Sequence, residues 1–381
     1  MIYFDNAATT PISKNVKNAI INALDIYGNP SSQYDIGKES KAIIEQSRHK
    51  IEDALGLPKN SIVFTSGGSE ADNFALYAGW LYGKRRGRNK VVISSVEHHA
   101  IGHAAEQLRL LGAEIVVIDV DGCGSLDLEQ LKNSVDYNTA IVSIMASNNE
   151  TGTTSDIFFV SEIAHKHGAL FHTDAVQGIT YMNIPANVVD MMSLSGHKYG
   201  APKGIGALYI NPFMMPEIKG YELISGGKQE FGLRGGTENI PYIVGFAQAT
   251  VDLVKTKEEK IERETRLHNY LLGKLKQDFP YIKINGYESA KHKNPGILNF
   301  SLGFADAASV VEWMNIYEIC ISSGSACNTG SNKPSHVLTA MGMDEQRAFS
   351  SVRVSLSELN DEKEIDRFIE VLKDFEKVYK H

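Results

Sequence analysis

Lys198 lies in residues 195–204 (SGHKYGAPKG), after an apolar run and just before glycines. A lysine drawn into a desolvated pocket has a lowered pKa and can form a Schiff base with an aldehyde. Alone, it reads as a solvated loop residue. Asp174, 24 residues earlier in residues 171–178 (FHTDAVQG), shifts that balance. It ends another apolar run, where a buried carboxylate can pair with the pyridinium nitrogen of pyridoxal phosphate. Residues 65–73 (TSGGSEADN) add small residues and Ser69 at a strand-to-helix turn, where backbone N–H groups and the helix dipole suit a phosphate. Lysine, aspartate and an anion-binding helix start together fit a pyridoxal phosphate site, although each is a weak signal by itself.

The elements that must position these residues follow from hydrophobic period. Residues 61–65, 91–94, 114–118, 140–145, 169–173, 191–194 and 205–210 read as short buried strands. Helix-period segments 38–55, 70–86, 99–111 and 157–167 lie between most of them, with Gly56, Gly87, Gly112 and Gly168 at their C-terminal caps. The alternation predicts an α/β fold with a mostly parallel sheet covered by helices on both faces. Ligands in such folds sit at the carboxyl ends of strands. The polar clusters 65–73, 95–100 (SVEHHA), 147–153 (SNNETGT), 171–178 and 195–204 all fall there, so they are expected to converge on one rim. After Asn239 a long mixed-charge helix is expected to about Asp278. Short strands follow near 282–285, 297–301, 319–322 and 352–356, then a final helix over 361–379. The expected division is a large domain at 12–255 and a smaller α+β domain at 256–381, joined by the segment 1–11.

Composition removes several classes. At 381 residues with 43% apolar and 22% charged side chains, the chain can bury a large core, and disorder or coiled coil is a poor reading. The net charge of −8 argues against a dedicated nucleic-acid binder. The basic group Lys84, Arg85, Arg86, Arg88 and Lys90 reads as a solvated helix end, with a docking patch as its alternative. Three cysteines, Cys123, Cys320 and Cys327, without C-x-x-C fit neither a disulfide framework nor a zinc ribbon. The reducing cytoplasm is the expected location. The start MIYFDNAATTP has no basic n-region, and no run of about 18 apolar residues occurs, so neither a signal peptide nor a membrane span is expected.

Further motifs narrow the reading: DNAATTP (5–11), PKGIGALY (202–209), RGGTEN (234–239), SSGSACNTG (322–330) and SVRVSLS (351–357). With SGHK, and in this order, they resemble the cysteine desulfurases of the NifS/IscS-like group. These are fold-type I pyridoxal phosphate enzymes of the class-V aminotransferase family, and the likeness runs over nearly the whole chain. It implies conversion of L-cysteine to L-alanine, with the sulfur passed as a persulfide to an enzyme cysteine and then to an acceptor protein. An iron–sulfur scaffold, a tRNA-thiolation enzyme and thiamine synthesis are the open destinations. By the same resemblance Lys198 is the Schiff-base lysine and proton shuttle, and His98 stacks on the pyridine ring. Asp174 pairs with its nitrogen, and Gln177 bonds its hydroxyl. Gly68, Ser69, Ser195 and His197 hold the phosphate, joined across a homodimer interface by Thr237. Arg353 grips the substrate carboxylate, helped by Asn149, and Cys327 is the nucleophile.

Physical chemistry supports Cys327 in that role. It is flanked by Ser, Ala, Asn, Thr and Gly in a loop, where a thiol can be exposed and deprotonated. Cys320, in an apolar strand, is expected in the core, and Cys123 in a turn. The chain departs from the family pattern at Gly68-Ser69, where many relatives have Ala-Thr, and at Phe231, where an Arg is usual. The C-terminal extension of the housekeeping relatives is not expected here, since the sequence stops soon after its last expected helix. A metal hydrolase built on Glu97, His98, His99 and His103 lacks H-E-x-x-H and a third ligand, and His99 and His103 are expected on a helix surface. A selenocysteine lyase, or another pyridoxal phosphate lyase or aminotransferase of this fold, is the alternative chemistry. A non-catalytic sulfur relay would not need Lys198, Asp174 and His98.

Overall fold

The computed structural model describes residues 1–324 and 334–380, so Cys327 lies outside the described residues. In chain order the elements are β1 (Ile2–Tyr3), α1 (Lys14–Ala23), α2 (Asp35–Leu55), β2 (Ile62–Thr65), α3 (Gly68–Lys84), β3 (Lys90–Ser94), α4 (His99–Leu110), β4 (Glu114–Ile118), α5 (Leu128–Ser134), β5 (Thr139–Ser143), α6 (Ile157–Lys166), β6 (Leu170–Asp174), β7 (Met191–Ser195) and β8 (Gly206–Ile210). Then come α7 (Ile240–Asp278), β9 (Lys283–Asn285), β10 (Ile297–Ser301), α8 (Ala307–Ile316), β11 (Ile319–Cys320), α9 (His336–Ala340), α10 (Glu345–Phe349), β12 (Ser351–Ser355) and α11 (Glu362–Tyr379).

The main sheet has the order β2-β8-β7-β6-β5-β3-β4. Its strands β4, β3, β5, β6 and β7 are parallel, while β8 runs antiparallel to both neighbours. The period-2 alternation of strand side chains divides its apolar residues between two cores. Ile62 and Phe64, Met192 and Leu194, and Ala207 and Tyr209 pack on one face with residues of α1, α2, α6 and α7. Val63, Met191, Leu208 and Ile210 pack on the other face with α3 and α4. On that second face α3 lies very close to β5. A Cβ at Gly79 would meet Ile141 Cδ1 at 2.5 Å, and one at Gly83 would overlap Ala140.

The strand 114–118 does not match its expectation as a buried strand. It is the sheet edge, with Val117 40% exposed. Lys90 likewise is not part of a helix end. It sits on β3, and its ammonium bonds Asp136 at 2.7 Å. Lys84, Arg85 and Arg86 do close α3, each stacked over an aromatic ring of Trp80, Tyr221 or Tyr82.

β10 pairs antiparallel with β12 and β9. Together with α8, α11 and the end of α7 they enclose a third core that includes Phe4. The helix α7 joins the cores. At 39 residues it is roughly 58 Å long, with Ile240–Leu253 buried against the large sheet and Leu267, Leu271 and Leu275 against the small one. β1 pairs parallel with β11 as a separate two-stranded sheet, and an isolated bridge from Asp5 to Ser355 ties the N-terminal segment to β12 before it crosses to the large sheet. Among the described residues no helix is long and apolar enough to cross a membrane.

Candidate active site

Residues that follow β2, β3, β5, β6 and β7 line one cavity of about 480 Å³. The first wall is the start of α3. Gly68 has no room for a side chain: a Cβ there would meet Val176 Cγ2 at 2.8 Å and Ser195 Cβ at 3.3 Å. Gly68 and Ser69 open a 17-residue helix, whose first N–H groups and dipole favour an anion. Ser195 and His197 line the same cavity from the end of β7, and His197 Nδ1 is 3.2 Å from Thr9 Oγ1.

Asp174 ends β6 and is 5% exposed. Burial pushes its carboxyl up to about 6, opposed by the Val176 N–H, 2.8 Å from Oδ1, and by the Lys198 ammonium. Behind it lies a polar stack that sequence reasoning missed. Asp72, on α3, is buried, and burial and the charge of Asp174 together raise its carboxyl well above the usual range. His172 separates Ser143 (2.8 Å) from Ser193 (2.9 Å), and burial lowers it to about 3, so the ring is neutral. A signal for His172 was present: it sits two residues before Asp174, hence on the same face of the strand.

His98 caps α4, and its Nδ1 accepts the Ala100 N–H at 3.1 Å. Burial and the nearby Lys198 lower it to about 4. A neutral imidazole with Nδ1 as acceptor carries its proton on Nε2. Glu97 beside it is buried and raised to about 8 by that burial, although Ser94 and the Met145 N–H both donate to Oε1. Lys198 lies at the end of β7, and its Nζ donates to the carbonyls of Ala7 (2.8 Å) and Ala8 (3.0 Å). Gln177 Nε2 donates to the same Ala7 carbonyl at 2.8 Å.

Arg353 comes from the small sheet. Its backbone is held by Ser322 through two bonds of 2.7 and 3.1 Å, and its side chain is 2% exposed. It reaches the cavity beside Asn149. Asp5 and Glu150 flank the guanidinium, and neither was singled out from sequence. Glu150 is buried and accepts the Ser335 hydroxyl at 2.6 Å. His99 is not on an open helix surface. Its ring centroid is 4.3 Å from that of His336, and both rings line the cavity. Among the described residues no group of three or more His, Cys, Asp or Glu is placed to hold a metal.

Thr237 is exposed and lies away from this cavity in its own chain. Phe231 is also remote from it. Its ring packs 4.8 Å from the Arg48 guanidinium, which Glu230 pairs at 2.8 Å. Cys320 is half-buried on β11 rather than in the core. Cys123 sits in a turn, its N–H bonded to Asp121, and burial and that carboxylate push its thiol up. Such a thiol is a poor nucleophile.

The sequence model of class-V aminotransferases matches residues 2–368. The chain belongs to the class-V aminotransferase family. Among its curated members, a cysteine desulfurase IscS of Methanosarcina thermophila is 40% identical over 375 residues, covering 97% of this chain and 91% of the relative. A solved NifS-like protein superposes with a TM-score of 0.91 at 32% identity, over 99% of both chains. A structure titled SspA in complex with cysteine superposes with a TM-score of 0.80 at 34% identity, over 93% of this chain and 99% of that one.

Proposed function

We propose that this class-V aminotransferase family member is a pyridoxal phosphate-dependent cysteine desulfurase. It converts L-cysteine to L-alanine and moves the sulfur to Cys327 as a persulfide. The observation that carries the reading is the meeting of Lys198, Asp174, His98 and Arg353, from separate strand ends and two sheets, in one cavity.

The residues present fit the cofactor. A Cβ at Gly68 would close the space at the start of α3, so a phosphate can approach those backbone N–H groups, with Ser69, Ser195 and His197 around it. Asp174 lines the same cavity as a carboxyl partner for a pyridinium, and Gln177 lines it beside Asp174. Lys198 supplies the amine for covalent attachment. When bound there, pyridoxal phosphate withdraws electrons from the substrate α-carbon, so that its C–H bond can break. Lys198 then takes and returns that proton at Nζ. His98, neutral with Nε2 as its free donor, faces the cavity as a ring to stack and a proton donor. Arg353 and Asn149 orient the amino acid by its carboxylate. The Cys327 thiolate attacks the substrate sulfur: an S–S bond forms, the C–S bond breaks with its electron pair passing to the substrate β-carbon, which is protonated on the way to alanine, and a persulfide remains on the enzyme. Cys123 does not line this cavity.

The same reading makes the working unit a homodimer, with Thr237 completing the phosphate site of the other copy. The chain then divides into 12–255 and 256–381. The persulfide goes to an acceptor protein in the cytoplasm, an iron–sulfur scaffold or a tRNA-thiolation enzyme. The purified protein should absorb in the visible, and borohydride should fix the cofactor to the peptide containing Lys198. A Lys198→Ala protein that turns over L-cysteine would overturn the reading.

A further inference from the structure

The Arg353 guanidinium is held from two sides. Nη1 donates to the Asn149 carbonyl at 2.9 Å, and Nη2 donates to Asp5 Oδ1 at 2.7 Å. Nε is buried and has no partner among the described residues. A guanidinium presents its donors in a rigid planar fork, and Nε–H shares one edge of that plane with a hydrogen of Nη2. Since Nε is unpartnered, Asp5 does not span that edge. A planar group pinned at Nη1 and Nη2 cannot turn about its long axis without breaking one of those bonds. Leaving Nε without a partner is costly for a buried donor, unless a ligand supplies the missing acceptor.

We propose that Asp5 is a positioning residue, which fixes the roll of the Arg353 guanidinium against the Asn149 carbonyl and so sets how that group meets the α-carboxylate of the amino-acid substrate. The inference rests on Arg353 being the carboxylate anchor. Asp5 is itself placed by backbone bonds that do not involve its side chain. Ser355 N–H donates to the Phe4 carbonyl at 2.7 Å, and the N–H groups of Ala8 and Thr9 donate to the Asp5 carbonyl at 3.0 and 3.4 Å. The next turn of the same segment carries Ala7 and Ala8, whose carbonyls hold Lys198 Nζ. One short stretch of backbone thus sets the carboxylate anchor and the reactive amine relative to each other. A carboxylate substrate must meet both at once.

The test uses the holoenzyme and propionate, a carboxylate without an amine, with its affinity measured by calorimetry. KM and kcat for L-cysteine are measured beside it. Asp5→Ala should weaken propionate and raise KM by about tenfold, the size of one charged hydrogen bond, with kcat within about twofold. Asp5→Asn, which keeps an oxygen acceptor, should stay within about threefold of the parent protein. A purely structural role would lower the melting temperature and leave propionate affinity unchanged. Unchanged or tighter propionate binding by Asp5→Ala, or equal impairment of the Ala and Asn variants, overturns the proposal. If Asp5→Ala does not fold, Asp5→Glu decides. Its extra methylene should displace the guanidinium and weaken propionate, and parent-like affinity overturns the proposal. Arg353→Ala separates the two layers. Parent-like propionate affinity there removes the anchor itself. Loss there, with none in Asp5→Ala, removes only the role of Asp5.

Discussion

Glu97 stands in the sequence as part of a candidate metal cluster, and the fold gives it a different setting. It is buried, raised to about 8, and one residue from His98. In the unfolded chain it titrates near 4.5. Between those values the folded protein holds a proton that the unfolded chain has lost, so stability falls as pH rises from about 4.5 to about 8. Glu97→Gln has no such loss. Thermal unfolding from pH 5 to 8 should therefore show the variant gaining on the parent as pH rises, and parallel curves would contradict this assignment. At Arg353 the expected change is in binding. Arg353→Ala should raise KM for L-cysteine on the order of tenfold or more, for a charged hydrogen bond of roughly 1.5–3 kcal/mol, while the cofactor stays bound. An unchanged KM places the anchor elsewhere. Lys198 and Asp174 were legible because each stands in a distinctive motif at a strand end, and Arg353, in the middle of β12, through the SVRVSLS motif of the family the sequence resembles. Asp72 and Glu150 were not, because an acid inside a helix or loop segment looks solvated until tertiary packing buries it.

At the scale of elements, the sheet and its helices followed from period and caps, and the misses have physical causes. The run 114–118 reads as buried by composition, yet it terminates the sheet, where one side of the strand has no neighbour. Composition does not encode strand order. Cys320 reads as core for the same reason, although its strand has only two residues and pairs with the N-terminal segment alone. Helix packing gives a paired prediction of opposite sign. Gly83 on α3 abuts Ala140, so Gly83→Ala should destabilise by about 1–3 kcal/mol through overpacking. Gly273 on α7 has open space around it, so Gly273→Ala should stabilise by about 0.5–1 kcal/mol. Denaturant titrations of both variants check the pair, and two shifts of the same sign would contradict the packing described for α3.

At the scale of the whole molecule, α7 packs into the cores of both sheets, and the N-terminal segment bonds both Lys198 and Arg353. Thr237 lies away from the cavity of its own chain, which suits the expectation that it completes a neighbour's site. Light scattering at assay concentration should therefore give a dimer, and a fully active monomer would contradict that assembly. The account as a whole depends on two half-reactions being separable: cofactor chemistry at Lys198, Asp174 and His98, and sulfur abstraction at Cys327. Measuring alanine release and intact mass for Cys327→Ser, supplied with L-cysteine and a reductant, tests this most directly. The account predicts a folded, yellow protein that releases essentially no alanine and gains no sulfur, while Cys123→Ser does both. Near-normal desulfuration by Cys327→Ser would contradict it.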